Sequence, residues 1–357
     1  DGRVGMTPQG KFRHRVFYKS LPKIELHRHL EGSLRLPTMI ETARKYRLDL
    51  PYDNPNQFNH LVQVVEGEPL DFQNFLSKFT SLRLFYQSRE VIQRFAHEAV
   101  EDAAADNIRY MEMRFTPVAL TRIKGFPMSE AVDWVLDAVQ EASETYGIDV
   151  RLIVSTNRHE PLALAEEAFD LAAAHMVRGV VGVDLAGNEA DFPGADFAAL
   201  FREAREAGLH VTIHAGEWGG PERIRLALDT LGAERIGHGV RVMEDPDLAA
   251  LVKERQIPFE VCPTSNYQSG VVKEIARHPL AGMVAAGLNV TVNTDDPGIS
   301  QIDLSDEYEL SSEVLGIAPE VLRGLIRNAA CSAFLPEAEI DSLVSEIDKE
   351  LERFQGE

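Results

Sequence analysis

Short runs of β-branched and apolar residues alternate with amphipathic stretches along most of the chain. The first is KIELHRH at Lys23, and IRYMEMRF follows from Ile108. DVRLIVST from Asp149, VVGVDLAG from Val180, LHVTIHAG from Leu209, RIGHG from Arg235, IPFEVCP from Ile257 and LNVTVNTDD from Leu288 complete the series. Several are apolar throughout rather than alternating, as parallel strands buried on both faces require. Between them Glu130 to Tyr146, Leu162 to Met176 and Phe197 to Ala207 carry helical spacing, with Gly147 and Gly208 where C-caps belong. Eight parallel strands alternating with helices predict an α/β fold, a (β/α)8 TIM barrel, with an open doubly wound sheet as the runner-up.

The regular spacing breaks once, in a gap of roughly 80 residues between the first two strands, read as a helical insertion. Within it LDFQNFLSKFTSLRLFYQ sets Phe72, Phe75, Leu76, Phe79, Leu82 and Tyr86 on one helical face. Such a stripe packs on the barrel, and because βα loops border the catalytic mouth it can also serve as a lid over segment 70–86. The stretch from Pro319 to Gln355 predicts extra C-terminal helices. No linker or repeat interrupts the pattern, so residues 21–357 read as a single barrel domain behind an N-terminal extension, 1–20, expected to be partly disordered.

Composition narrows the function classes. Of 357 residues, 36 are Lys or Arg against 57 Asp or Glu, a formal net charge of −21. A surface this acidic repels phosphate backbones and anionic lipid, so neither a nucleic acid nor a membrane is expected as partner. Two cysteines, Cys262 and Cys331, build neither a disulfide framework nor a cysteine-based zinc site. With no apolar leader region and no membrane-length apolar run, a cytoplasmic location is expected.

Candidate chemistry gathers at strand ends. His27 and His29 stand two apart on the first strand and so share a face. Alone, a His-x-His pair is weak evidence. His214 closes the fifth strand, His238 the sixth, and Asp295 with Asp296 the eighth. The C-terminal ends of barrel strands are where barrel enzymes keep their active sites, so the convergence points to a metal centre. Three histidines and a carboxylate suit zinc, one ion per chain, with His27, His29, His214 and Asp295 as ligands. His238 is open between fifth ligand and orienter of a metal-bound hydroxide. Glu217, three residues past His214, is the general acid/base candidate beside such a hydroxide, although a first-turn glutamate near a helix N-terminus would look the same. Asp295 and Asp296 cannot both point inward from a regular strand; Pro297 ends it, so one carboxylate is expected on the metal and the other on substrate.

Absences also inform. Binuclear barrel hydrolases bridge their metals with a fourth-strand lysine, but no lysine occurs between Lys124 and Lys253, which favours one metal. The paired-cysteine signature of small cytidine-type deaminases and any Gly-rich phosphate loop are missing.

Taken together, LPKIELHRHLEGSL, DLAGNE, HAGE, RIGHG, VCPTSN with a later HPL, and NTDDP resemble in order and spacing the adenosine deaminase family of metal-dependent hydrolases, from about Leu21 to Phe334. The resemblance implies zinc on His27, His29, His214 and Asp295. It also implies hydrolytic deamination of adenosine and 2′-deoxyadenosine to inosine and ammonia by metal-hydroxide attack at purine C6. Glu217 and His238 would be catalytic, Glu217 protonating N1 and His238 holding the hydroxide. On the substrate it implies His29, Glu31, the backbone N–H of Gly187 at N3, and Asp296 at N7. The partner is then a small purine nucleoside. One departure stands out: the acid contacting the ribose 5′ hydroxyl in the best-known animal members is Asp, and here it is Glu31. Relatives acting on adenine or aminodeoxyfutalosine share the first motif, so another 6-aminopurine is the alternative substrate. RIGHG and NTDDP argue against adenine, whose specific deaminases tend to read RIDHG and NSDDP. An ester or phosphoester hydrolase and a binding protein without catalysis are the readings from other classes. Ser265 and Asn266 are candidates for shaping the pocket, Cys262 reads as a buried small hydrophobe, and His14, His60, His97, His159, His175, His210 and His278 as surface or structural histidines.

Overall fold

A computed structural model describes residues 15–354. Eight strands lie in sequence order, every neighbouring pair parallel: β1 Lys23–His29, β2 Ile108–Phe115, β3 Asp149–Asn157, β4 Val180–Ala186, β5 His210–Ala215, β6 Arg235–His238, β7 Phe259–Val261 and β8 Val290–Val292. The seam between β8 and β1 closes through one parallel bridge, Arg28 with Asp295. There the His29 N–H donates to Asp295 O and the Asp295 N–H to His27 O, each at 2.8 Å. This is the barrel; the open sheet is excluded. The predicted single domain with an N-terminal extension meets structure only from residue 15, and the expectation of a disordered start, like His14, lies outside the described residues.

The eighth strand is shorter than its apolar run. After Val292 side chains take over from the ladder: Asn293 Oδ1 accepts the Leu26 N–H at 2.9 Å and Thr294 donates its hydroxyl to Glu25 at 2.7 Å. Asp295 and Asp296 therefore stand beyond β8, not at its end. Helix boundaries move by a residue or two. Met128–Tyr146 begins before Glu130, Leu162–Ala174 stops short of Met176, and Ala198–Glu206 follows a 3-10 turn over Ala195–Phe197. Gly147 caps the first of these at φ 69°, a left-handed conformation open to glycine at little steric cost.

The insertion comprises α1 Leu36–Tyr46, α2 Pro55–Val62, α3 Phe72–Leu82 and α4 Arg89–Ala105, with a 3-10 turn Arg83–Phe85 after α3. Asp71 caps α3, accepting the Asn74 N–H at 2.8 Å, and Ser88 caps α4. α3 is anchored beneath by Lys78, a buried ammonium that donates to Glu68 at 2.8 Å and to His60 O at 2.6 Å. The helix Pro319–Cys331 packs on β8 and β1. Phe334 lies under the Arg235 guanidinium, 3.5 Å from its ring centre, and that guanidinium is held by Glu112 and Glu260. Among the described residues no helix is long and apolar enough to cross a membrane.

Candidate active site

The strand ends bring the predicted residues together. His27, His29, His214 and Asp295 each offer an atom within 4.8 Å of the others. His29 Nε2 faces His214 Nε2 at 3.2 Å, and both His27 Nε2 and His29 Nε2 lie 3.2 Å from Asp295 Oδ1. On the β6 side Gly237 leaves room for the rings; a Cβ there would stand 3.1 Å from the His27 ring and 3.2 Å from the His214 backbone.

The rings are aimed from behind. His27 Nδ1 donates to Glu260 Oε2 at 2.7 Å, and His214 Nδ1 donates to Asp184 Oδ1 at 2.9 Å. Arg114 and Arg235 overcome the effect of burial and hold Glu260 well below the usual carboxylate range; His214 and Arg114 do the same for Asp184. With a proton fixed on each Nδ1, the two Nε2 lone pairs face the cluster centre. His27 Nε2, fully buried, makes no hydrogen bond. A buried acceptor without a donor, among two further imidazoles and a carboxylate, has the chemistry of a divalent metal site. A second grouping, His27, His238, Cys262 and Asp295, is weaker. Burial pushes the Cys262 thiol up, and it donates to Glu260 O at 3.5 Å, so it is an inert thiol, as its sequence context suggested.

Two residues reach the site through backbone that L-residues rarely adopt. His238 sits at φ 59° and Asp295 at φ 64°. This left-handed step resolves the Asp-Asp problem: Asp295 turns onto the cluster, where Oδ2 accepts from the Ser265 hydroxyl at 2.6 Å, and Asp296 still faces the cavity. Such conformations cost on the order of 1–3 kcal/mol each and gather at functional sites.

Above the cluster lies a cavity of about 260 Å³. Glu31, Gly187, His214, Glu217, His238 and Asp296 border it, with Asn157 on one side and Trp218 on another. Its roof is the insertion: Phe75, Leu76, Phe79, Leu82 and Tyr86 of the predicted stripe line it, so α3 both packs on the barrel and covers the mouth. Phe72 instead meets Trp218, ring centres 5.7 Å apart. Arg83 lines the wall near Glu31.

Two acids in this cavity are biased toward the neutral form. Burial, then Asp295 and Glu189, pushes Glu217 well above the usual range; burial, then Asp295, Glu31 and Glu217, does so for Asp296. Asp296 Oδ1 has no partner in the protein. Only glycine fits beneath it, since a Cβ on Gly32 would fall 1.8 Å from that oxygen. Glu31 is pushed up to about 7 by burial, and its Oε1 accepts the Thr116 N–H at 2.6 Å. His238 Nε2 lies 3.7 Å from Glu217 Oε2 and 3.8 Å from Asp295 Oδ2.

Sequence reasoning missed the supports: Glu260 and Asp184, and also Glu189, whose carboxylate accepts the N–H groups of Gly216, Glu217 and Gly219 at 2.6 to 3.0 Å and so fixes the turn that carries Glu217. The available signal was a charge inside an apolar run, in VVGVDLAG and IPFEVCP. Ser265 and Asn266 do shape the site, contacting Asp295 and His238. Of the remaining histidines, His60, His175 and His210 bond carboxylates at the surface and His97 packs on Tyr146, while His159, exposed, stands on the cavity rim.

The family model described as adenosine deaminase matches residues 22–350. An adenosine deaminase of Klebsiella pneumoniae (strain 342) is 38% identical over 330 residues, covering 92% of this chain and 98% of its own. Among solved structures, an adenine deaminase from Arthrobacter aurescens superposes with a TM-score of 0.85 at 32% identity, covering 93% of this chain and 99% of its own. An amidohydrolase from Burkholderia ambifaria with bound zinc superposes with a TM-score of 0.88 at 27% identity, covering 100% of this chain and 97% of its own. Matched along nearly its whole length in sequence and in architecture, the chain belongs to the adenosine deaminase family.

Proposed function

We propose that the chain is a zinc-dependent adenosine deaminase, replacing the 6-amino group of adenosine or 2′-deoxyadenosine with oxygen from water and releasing ammonia. The observation that carries the reading is the placement of two buried acids, Glu217 and Asp296, whose surroundings favour the neutral form, on one cavity over the His27–His29–His214–Asp295 cluster. Neutral carboxyls are donors, and a purine offers N1 and N7 as ring acceptors on either side of C6.

His27, His29, His214 and Asp295 would hold one divalent ion, with zinc as the ion that three imidazoles and a carboxylate suit. When bound, the ion supplies a Lewis acid that brings proton loss from water toward neutrality. Glu217 transfers its proton to N1, drawing electron density from C6, and takes a proton back from the water oxygen that adds there; that proton passes to the 6-amino nitrogen, the C6–N6 bond breaks and ammonia leaves. Asp296 donates to N7 and keeps the ring in register, with the Gly187 N–H directed at N3. His238, between Glu217 and Asp295, contacts the oxygen adding to C6. The stripe on α3 keeps bulk water off the ring, and His29 and Glu31 border the sugar end. The unpaired cysteines suit a reducing compartment such as the cytoplasm.

A second reading, another 6-aminopurine such as adenine or aminodeoxyfutalosine, is favoured by one residue: Glu31, whose Oε1 accepts the Thr116 N–H rather than being left free for a sugar hydroxyl. An ultraviolet assay against adenosine, adenine and aminodeoxyfutalosine, repeated after chelation, decides. Chelator-sensitive loss of adenosine absorbance above the others supports the first reading. Faster turnover of another aminopurine selects the second, and no turnover by zinc-loaded protein rejects both.

A further inference from the structure

His278 lies outside the cavity and outside the metal cluster, on the loop after β7, yet it is buried and its ring is bonded at both nitrogens. The Leu280 N–H donates to its Nδ1 at 3.1 Å, and its Nε2 meets Asn266 Oδ1 at 3.2 Å. Asn266 Nδ2 in turn meets His238 Nδ1 at 3.1 Å. All three side chains are buried.

Each proton in this chain is dictated by the one before it. A backbone N–H can only donate, so His278 Nδ1 is an acceptor. The ring is neutral, since burial with no charged neighbour pushes it down to about 3, and its single proton therefore sits on Nε2. That proton requires an oxygen opposite, which orients the Asn266 amide and leaves its NH2 facing His238. His238 Nδ1 must then accept, and its own proton is left on Nε2, the atom facing Glu217 and Asp295.

We propose that His278, acting through Asn266, is a positioning residue that locks His238 as the Nε2–H tautomer. In that form His238 enters the site as a hydrogen-bond donor. It has no Nε2 lone pair to give a metal, so it is not a fifth ligand. The lock rests on the proposed role of His238 in the reaction, but the proton's position is a property of the folded protein and is measured apart from turnover.

The test is two-dimensional 15N–1H correlation of the imidazole nitrogens in zinc-loaded full-length protein, with the His238 signals assigned by their loss in His238→Asn. The expected spectrum shows His238 protonated on Nε2 and unprotonated on Nδ1. Asn266→Asp presents a carboxylate to His238 Nδ1, so the proton pattern reverses or both nitrogens become protonated. With it kcat falls about 10- to 100-fold at nearly constant KM, the range for residues that orient site groups. His278→Leu lowers kcat in the same way, and His278→Gln, which can keep a donor where Nε2 stood, recovers most of the loss. A native spectrum with the His238 proton on Nδ1 overturns the proposal whether or not any variant folds. So does an Asn266→Asp protein with native tautomer and native kcat. A protein inactive on every 6-aminopurine but carrying the Nε2–H signal would remove the proposed reaction and leave the lock standing.

Discussion

Glu260 accepts a hydrogen bond from His27 Nδ1 at 2.7 Å while the same carboxylate is gripped by Arg114 and Arg235, each also at 2.7 Å. One buried side chain therefore aims an imidazole of the proposed metal site and ties β7 to β2 and β6. Replacing it by glutamine keeps the shape and removes the charge. Glu260→Gln is expected to weaken zinc about 10- to 100-fold by competition with a chelator, and to lower stability because two buried guanidiniums lose their counter-charge. Unchanged metal affinity in folded protein would remove Glu260 from the site's architecture.

Glu217→Gln keeps a donor but has no proton to transfer to N1. Zinc content should stay at one ion per chain while kcat falls about 10²- to 10⁴-fold, the contribution of a positioned general acid/base. Metal analysis beside steady-state kinetics reads both, and full activity in the variant would leave the proton transfer without an owner.

Glu31→Asp withdraws the carboxyl from Thr116 by a methylene. The ratio of kcat/KM for adenosine to that for 5′-deoxyadenosine should rise about tenfold, roughly one hydrogen bond's worth, as the shorter acid turns to the sugar hydroxyl. An unchanged ratio would place Glu31 away from the 5′ position.

Glu307 offers a pH prediction apart from the catalytic groups. Its Oε1 accepts the Thr264 N–H, its Oε2 has no partner, and burial pushes it up from 4.5 to about 8. A raised folded value means that the contribution to stability is full below about pH 4.5 and is lost as the pH climbs through about 8. The slope from this group is at most about 1.4 kcal/mol per pH unit. Glu307→Gln should raise Tm at pH 8.5 relative to wild type and flatten the decline between pH 6 and 8.5. Parallel thermal curves would mean that Glu307 is already ionised.

How much of this was legible in the sequence follows from the range over which each feature is decided. Strand runs and the clustering of His27, His29, His214 and Asp295 were readable because a β-strand alternates its side chains locally and barrel topology sends every strand end to one rim. His27 and His29 needed only their two-residue spacing. Glu260 and Asp184 were not readable as supports, because what makes them so is contact with residues 233 and 30 positions away. The end of β8 was overrun because Asn293 and Thr294 look like strand residues until their side chains find Leu26 and Glu25. The stripe on α3 left packing and roofing open because one apolar face serves both. His278 read as structural because nothing in HPL reveals that its ring meets Asn266 on the same connection between β7 and β8.

The seam of the barrel would give the proposed metal site a mechanical role. Asp295 closes β8 onto β1 with its backbone and presents its carboxylate to the cluster that β1 supplies through His27 and His29. An ion held by all three would fasten the first and last strands of a ring whose other joints are ladders of at least two residue pairs. The amides of His29 and Asp295 should therefore be the first to lose protection when zinc is stripped, well before the β2–β3 ladder opens. Hydrogen exchange at those two positions, with and without metal, reads directly whether the cation works as a clasp as well as a reagent.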